Sequence, residues 1–283
     1  EVSTCEQEML EVTFKMRKHR LFIALVVCLV IATINIAIAG VTGTVLFRAD
    51  FENDKGNNSL SQWVPDNAGQ KWVIEDFPGS GKGLNNAEEG CGISGNTPLP
   101  STEEFSDGII QLDMSWRDDD SWGIILRQSA ADKGYLVVFG YNETPAVVVA
   151  LLDEGCAETG KCLDQTACEN GGKELVQKEH SLFKIGDDGK GTGTQDLSVV
   201  YTGVIEAKGD SIKVWYHERG KAKGDPVVEI TDTTHKKGQV GVWHESQGNC
   251  MIDNVVVRTF DADTAVDAED KLATSWAAIR SAY

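Results

Sequence analysis

The chain has 283 residues, of which 41% are hydrophobic, so it is long and apolar enough to bury the core of a globular domain. Its 44 acidic and 26 basic residues give a net charge of −18, which argues against nucleic acid as a partner because phosphate backbones are also negative. The same excess of carboxylates favours cations, calcium above all, since hard divalent ions take carboxylate oxygens; solubility alone is the alternative explanation.

The N-terminus has the layout of a secretion signal. Met16 opens a short basic stretch, an apolar run follows over residues 21–36, and residues 37–39 are small enough for a cleavage site. Residues 1–15 are therefore expected to lie upstream of the natural start, and residues 16–39 to be a signal peptide. An uncleaved signal anchor is the alternative, because the apolar run nearly spans a bilayer. Both alternatives put the rest of the chain outside the cytoplasm.

Residues 44–260 alternate short runs of β-branched and aromatic residues with turn clusters of Gly, Asp and Asn. This rhythm predicts one antiparallel β-sandwich rather than β-α-β units. Period-two patterning is clearest over residues 211–216, where apolar side chains share one face. The predicted strands are, in chain order, 45–51, 71–76, 109–116, 122–127, 135–141, 146–152, 197–205, 211–216, 226–230, 239–244 and 250–259.

Residues 153–193 depart from this pattern, because they are polar, rich in Gly and contain three cysteines. They are predicted to form a Cys-rich insertion within the domain. Outside the cell, the cysteines that follow the signal are expected to form disulfides rather than to bind a metal. These five are Cys91, Cys156, Cys162, Cys168 and Cys250. Their pairing cannot be deduced, and the odd number leaves one thiol free or paired between chains.

Residues 261–283 change character again. Leu272, Trp276, Ile279 and Tyr283 recur at helical spacing, which predicts a short amphipathic helix in an acidic tail. The acidic residues near its N-terminal end suit a helix dipole; they are Asp261, Asp263, Asp267, Glu269 and Asp270. Such a helix either docks on its own domain or serves as a sorting or assembly tail.

Several strands resemble those of concanavalin A-like sandwiches. The resemblance is carried by DDDSWGIILR at 118–127, KGYLVV at 133–138, IKVWY at 212–216, GQVGVW at 238–243 and DNVVV at 253–257. The same order occurs in the thrombospondin C-terminal domain, in laminin G-like modules and in the 3-keto-disaccharide hydrolase-like domain. The resemblance implies an all-β, two-sheet antiparallel jelly roll whose first and last strands are neighbours.

A calcium site follows from this implied arrangement. Neighbouring first and last strands would bring Asp50 and Glu52, which share strand parity, close to Asp253. Members of the superfamily often hold a structural calcium between these regions. Calcium takes about six to eight oxygen ligands, which carboxylates, backbone carbonyls and water could supply. The acidic turn Asp118-Asp119-Asp120 is a second candidate, since a similar turn occurs in the calcium-binding thrombospondin-type domain. Solvated charges at a strand edge or turn are the alternative for both.

A sugar-binding surface is predicted from the aromatic residues, since sugars stack on exposed rings. Trp215 alternates with polar residues and is expected to be partly exposed, and Trp243 beside His244 is the next candidate. Further candidates in or next to predicted strands are Trp122, Arg127 and Tyr135.

No catalytic motif is evident. The Glu-x-Asp-x-(x)-Glu pattern of laminarinase-type glycosidases on this fold does not occur. The sequence therefore predicts a secreted, calcium-stabilised lectin-like or adhesion module that binds carbohydrate or an extracellular protein surface. A carbohydrate-active hydrolase of the keto-disaccharide type, which lacks a short signature, is one alternative. A structural component of a cell-surface assembly is another, and membrane contact is expected only through an uncleaved signal segment.

Overall fold

The computed structural model describes residues 43–66, 71–79, 81–87, 94–116, 121–130, 133–141, 144–153, 172–182, 199–245 and 250–260. Within it, Gly43–Phe260 form one compact unit. Several predictions fall outside these residues: the upstream segment 1–15, the signal 16–39, the turn 118–120, the tail 261–283, and Cys91, Cys156, Cys162 and Cys168.

Fourteen β-strands account for most of the described residues. They are β1 (Val45–Ala49), β2 (Trp72–Asp76), β3 (Lys82–Asn86), β4 (Ser94–Pro98), β5 (Gly108–Ser115), β6 (Ser121–Ala130), β7 (Lys133–Tyr141), β8 (Thr144–Asp153), β9 (Gly172–Glu179), β10 (Tyr201–Lys208), β11 (Ser211–Glu218), β12 (Val228–Thr231), β13 (Gln239–Glu245) and β14 (Met251–Thr259). Two short 3-10 helices, Gly56–Asn58 and Leu60–Gln62, follow β1. In the described part of the chain, no helix has the length and hydropathy that a membrane crossing requires.

The strands form two antiparallel sheets. The eight-stranded sheet has the order β12-β11-β10-β5-β14-β3-β2, with β1 also paired to β14, and the six-stranded sheet has the order β4-β13-β6-β7-β8-β9. The first and last strands are adjacent, since Phe47 pairs with Val257 and Ala49 with Val255. The predicted all-β jelly-roll sandwich is therefore confirmed.

The core lies between the sheets because alternate residues of each strand point inward. On β6, Trp122, Ile124 and Leu126 belong to the main apolar cluster, whereas Ile125 points the other way. The far face of the six-stranded sheet is apolar as well. Its buried cluster consists of Ile125, Leu136, Val138, Val148, Leu152 and Trp243. Both faces of the central strands are thus buried, which explains their nearly continuous apolar sequences.

Three strands were not predicted from the sequence. Strands β3 and β4 are short and consist largely of Gly, Asn, Ser and Pro, residues that are uncommon in strands. Strand β9 lies inside the range predicted as an insertion, and it pairs with β8 at the edge of the six-stranded sheet. Only Leu175 and Val176 of β9 pack on the core, so its sequence resembles that of a loop.

Candidate functional site

A bulge in β14 brings two carboxylates and an amide together. The pairing of β14 with β5 shifts register between Asp253 and Val256, and Asn254 in the bulge has a φ of 50°. Asn adopts this left-handed conformation more readily than most residues. Asp253 lies opposite Asp113 on β5. The Asn254 side chain bridges the two, because its Nδ2 donates to Asp113 Oδ2 at 3.1 Å and to Asp253 Oδ2 at 2.9 Å.

Asp113 and Asp253 form a buried floor on the outer face of the eight-stranded sheet. Their exposed fractions are 6% and 3%. The Thr202 hydroxyl donates to Asp113 Oδ1 at 2.7 Å, and the Asn254 backbone N–H donates to Asp253 Oδ1 at 2.7 Å. Buried carboxylates need such donors, because an unpaired buried charge is strongly destabilising.

Glu52, Arg219 and Asn254 form a more exposed rim around this floor. Arg219 Nη1 lies 3.7 Å from Asp113 Oδ2, and its guanidinium lies 5.9 Å from the ring centroid of Phe77. Glu52 Oε1 accepts a hydrogen bond from the Lys82 backbone N–H at 3.1 Å. The rim therefore presents a carboxylate, an amide and a guanidinium to solvent above two buried carboxylates.

Gly81 allows Glu52 to take this position. Its φ of 74° is a conformation that favours glycine, and a Cβ there would lie 1.7 Å from Glu52 Oε1. The backbone of the loop between β2 and β3 can thus come this close to Glu52 only because residue 81 has no side chain.

The site is short of positive charge. Burial raises the pKa of Asp253 to about 6, and repulsion by the Asp113 and Glu52 carboxylates adds to this rise. The Asn254 backbone hydrogen bond and the nearby Arg219 charge lower the pKa of Asp253 and offset part of the rise. Near neutral pH the cluster therefore combines three carboxylates with one guanidinium.

The structure brings together two of the three predicted calcium ligands. Glu52 and Asp253 lie close enough for their charges to repel. Asp50 Oδ1 instead accepts hydrogen bonds from Asn58 Nδ2 at 2.8 Å and from the Glu52 backbone N–H at 3.4 Å. Asn58 closes the loop after β1, since its Oδ1 also accepts from the backbone N–H groups of Asp50 and Phe51. Asp113 was missed because its proximity to Asp253 depends on strand pairing between distant parts of the chain.

The described residues contain no group of three or more His, Cys, Asp or Glu side chains arranged to hold a metal ion. The donor atoms are nevertheless of the right kind, because calcium prefers carboxylate oxygens.

The predicted sugar-binding aromatic residues are buried, so the prediction that Trp215 and Trp243 have exposed rings is wrong. Both are only 7% exposed, and Trp122 and Tyr135 are fully buried. Alternation correctly placed Trp215 on the outer face, but the loop after β11 covers it. Lys223 Nζ lies 3.5 Å from the ring centroid of Trp215, and Trp215 Nε1 donates to the Gly224 carbonyl at 3.1 Å. A buried ring cannot stack on a sugar.

Arg127, His244 and Tyr135 are also buried and make structural contacts. Arg127 donates to the carbonyls of Ser106 and His235, and so joins two loops. His244 Nδ1 lies 3.3 Å from Asn86 Nδ2, and burial lowers the pKa of His244 to about 4. The imidazole is therefore neutral at physiological pH. The Tyr135 hydroxyl donates to Asp232 at 2.6 Å and accepts from the His235 backbone N–H.

Cys250 is a free, buried thiol, which is compatible with the expectation that one of the five cysteines stays unpaired. Burial raises the pKa of its thiol far above the ordinary value, which keeps the sulfur protonated and unreactive. The strand position explains this state, because Cys250 precedes β14 and packs in the core.

Solved structures share this architecture. The exoplasmic/lumenal domain of VIP36 in its Ca²⁺-bound form aligns with a TM-score of 0.53 at 8% identity, over 78% of this chain and 92% of that one. The metal-free form of that domain aligns with a TM-score of 0.52 at 9% identity, over 77% and 93%. A Bacillus subtilis protein of unknown function with a galectin-like fold aligns with a TM-score of 0.50 at 11% identity, over 77% and 96%.

The fold is therefore a concanavalin A-like jelly roll. No protein-family model matches the sequence, and no curated protein matches it.

Proposed function

We propose that this domain binds carbohydrate at the site formed by Glu52, Asn254 and Arg219 above the Asp113–Asp253 floor. The observation that carries the proposal is the cluster itself, in which partly exposed polar groups are held in fixed positions by buried partners. Neighbouring hydroxyl groups of a sugar can donate to carboxylates and accept from an amide or guanidinium. Hydrogen bonds to charged groups are the stronger ones, and a small number of fixed polar groups gives specificity.

The similar structures support this class of ligand. The VIP36 domain that aligns with this chain has also been solved in a form bound to Ca²⁺ and Man2, which aligns with a TM-score of 0.53. At 9% identity the likeness is one of fold, and the ligand and its position in this chain belong to the proposal.

The proposal includes a location outside the cytoplasm. The signal-like pattern before residue 40 supports it, and the aligned VIP36 domain is described as exoplasmic or lumenal. An acidic surface is compatible with glycans and calcium, whereas it repels nucleic acids and anionic membranes.

We also propose that calcium binds at this site through Glu52 and Asp253. The excess of carboxylates over basic groups supports it, because an added cation would relieve the repulsion that raises the pKa of Asp253. Both the Ca²⁺-bound and the metal-free forms of the VIP36 domain align equally well, so the fold itself does not depend on the ion in that domain.

A glycan-array screen with and without calcium tests the main proposal. Two variants remove rim groups with little change to the backbone: Asn254→Gly, which suits the positive φ of Asn254, and Arg219→Gln. The matched control is Glu104→Gln, an exposed residue whose ion-pair partner is Lys237 rather than a residue of the cluster. We expect saturable binding by the parent protein and the control, and at least about tenfold weaker binding by the two variants. Unchanged binding by both variants would contradict the site.

A hydrolase is the second candidate, favoured by the paired carboxylates Asp113 and Asp253. Glycosidases use two neighbouring carboxyl groups, one as a general acid and the other as a nucleophile or general base. Release of reducing sugar by the parent protein, lost in Asp253→Asn, would favour this activity over binding alone.

A further inference from the structure

Two arginines project from the outer face of the eight-stranded sheet. Arg48 on β1 lies opposite Val256 of β14, and Arg258 is two residues further along β14. Their neighbours Phe47 and Val257 are buried in the core between the sheets. Because successive side chains of a strand point to opposite faces, Arg48, Val256 and Arg258 share the outer face.

The arginines lie on the same face as the proposed carbohydrate site. Asp253, in the floor of that site, pairs with Asp113 of β5, and Arg258 pairs with Ile109. Asp113 and Ile109 are four residues apart on one strand and share a face, so their partners do too, despite the bulge at Asn254. With a rise of about 3.4 Å per residue, Arg258 lies roughly 14 Å from Asn254 along the sheet.

Both guanidinium groups lack an acidic partner. Neither arginine takes part in an ion pair among the described residues, and the buried Nε of Arg258 has no hydrogen-bond partner. A third cation is close to them, since burial lowers the pKa of Lys223 and the charge of Arg258 lowers it further. Glu206 offsets part of this effect on Lys223. Three cations therefore lie near one another in a chain whose net charge is −18.

The two arginines occupy opposite corners of a small apolar patch. The other two corners are Val256, which is half-buried, and Val45, which lies opposite Arg258 and is 51% exposed. Diagonal neighbours in a sheet are about 7–8 Å apart, so two side chains as long as arginine can reach one group between them. The patch thus combines an apolar floor for a sugar ring with two cations at its edges.

We propose that the carbohydrate bound by this domain is acidic, and that its carboxylate or sulfate group lies between Arg48 and Arg258. This inference rests on the proposed carbohydrate site and extends it along the sheet. Guanidinium groups hold oxyanions through paired N–H donors. An anionic group at the arginines also avoids the carboxylates of Glu52 and Asp253, so the uncharged part of the glycan lies at Asn254.

The negative charge of the whole chain does not oppose this arrangement. At physiological ionic strength, exposed charges separated by more than about 8 Å are largely screened. The charges nearest to the bound group therefore decide whether it is attracted, and these are Arg48, Arg258 and Lys223.

Matched pairs of glycans test the inference on the full chain. The members of a pair share one backbone: uronic-acid oligosaccharides are compared with their carboxyl-reduced forms, and sulfated oligosaccharides with their desulfated forms. We expect the acidic member of at least one pair to bind about tenfold more tightly than its neutral partner. The two kinds of pair distinguish a carboxylate from a sulfate, and high salt should reduce the preference.

Arg48→Gln and Arg258→Gln are the decisive variants, because each removes one charge and keeps a long polar side chain. Each should lower the ratio of acidic to neutral affinity about tenfold. Lys213→Gln is the matched control and should leave the ratio unchanged. Lys213 projects from the same outer face, but its Nζ already pairs with Glu229 at 3.0 Å. Asn254→Gly should weaken both members of a pair to a similar extent.

Two results would overturn the inference while leaving the proposed function intact. One is equal affinity for the acidic and neutral members of every pair, and the other is an acidic preference that both arginine variants retain. Failure to bind any glycan, acidic or neutral, would instead contradict the proposed function, and the inference would fall with it.

Discussion

The carboxyl of Asp253 makes the stability of the domain depend on pH. Its pKa is about 6 in the folded protein, raised by burial and by the Asp113 and Glu52 carboxylates, against an ordinary value of 3.8. The folded state therefore holds this proton more tightly than the unfolded state, so its contribution to stability is lost as pH rises from about 4 to about 6. The full difference corresponds to about 3 kcal/mol.

Asp253→Asn removes this titration. The free energy of unfolding is measured with urea, in the presence of chelator, between pH 4 and 8. As pH rises across that window, we expect the stability of the variant to increase relative to that of the parent by up to about 3 kcal/mol. A difference between the two proteins that stays constant with pH would show that Asp253 does not titrate as described.

The buried imidazole of His244 makes the stability of the domain depend on pH in the opposite direction to Asp253. Burial lowers its pKa to about 4 from an ordinary value of 6.5, so the unfolded state takes up a proton first and stability falls as pH drops from about 6.5 to 4. The parent should lose up to about 3 kcal/mol of unfolding free energy as pH drops through that window, and His244→Gln should abolish this loss. The same urea titrations measure it. Because the two effects nearly offset between pH 4 and 6, the parent protein should have a flatter profile than either variant.

Gly81 offers a test of how one residue shapes the site. Gly81→Ala and Gly209→Ala both replace a glycine with positive φ, and each should cost about 1 kcal/mol of stability through backbone strain. Only at Gly81 would the new Cβ meet Glu52, since nothing lies within 4 Å at Gly209. We expect glycan binding to weaken in the first variant and to be unchanged in the second. Equal binding by both would remove Glu52 from the site.

At the scale of strands, local patterning identified those with a strong apolar period and missed those without one. Strands β7, β8 and β11 were predicted because they are rich in β-branched and aromatic residues. Strand β3 is held by its neighbours β2 and β14, and its own residues have little β-propensity. Asp113 was missed for a similar reason, because a single acid in an apolar strand gives no local sign of what lies opposite.

Strand β9 offers a direct test, because its sequence resembles that of a loop although it pairs with β8 in the sheet. If β9 is part of the sheet, Val176→Asp places a charge against the core and should destabilise the domain by about 1–3 kcal/mol. Lys178→Asp, on the same strand but exposed, is the control and should change stability by less than about 0.5 kcal/mol. Thermal unfolding measures both. Equal tolerance of the two variants would mean that residues 172–179 behave as a loop.

Across the whole molecule, the sequence predicted the architecture better than the exposure of individual side chains. Alternation assigns a residue to a face, and it did so correctly for Trp215. It does not say whether that face meets solvent, and both sheets carry buried apolar clusters on their outer faces. Trp215 and Trp243 are buried for this reason, whereas Trp122 and Tyr135 lie in the core between the sheets. The candidate site depends on Asn254 and Arg219, which no local motif singled out.

Calcium binding is best tested on the intact protein. The test must separate binding at the site from the general attraction of cations to a chain with a net charge of −18. A ligand at about 100 times its Kd adds about 2.7 kcal/mol, which for a domain of this size raises Tm by roughly 5–10 °C. We expect chelation to lower Tm by that amount and calcium, but not sodium at equal ionic strength, to restore it. In Asp253→Asn the response should vanish, because diffuse screening does not depend on one buried carboxyl. A calcium response of the same size in both proteins would assign the ion to the surface rather than to Glu52 and Asp253.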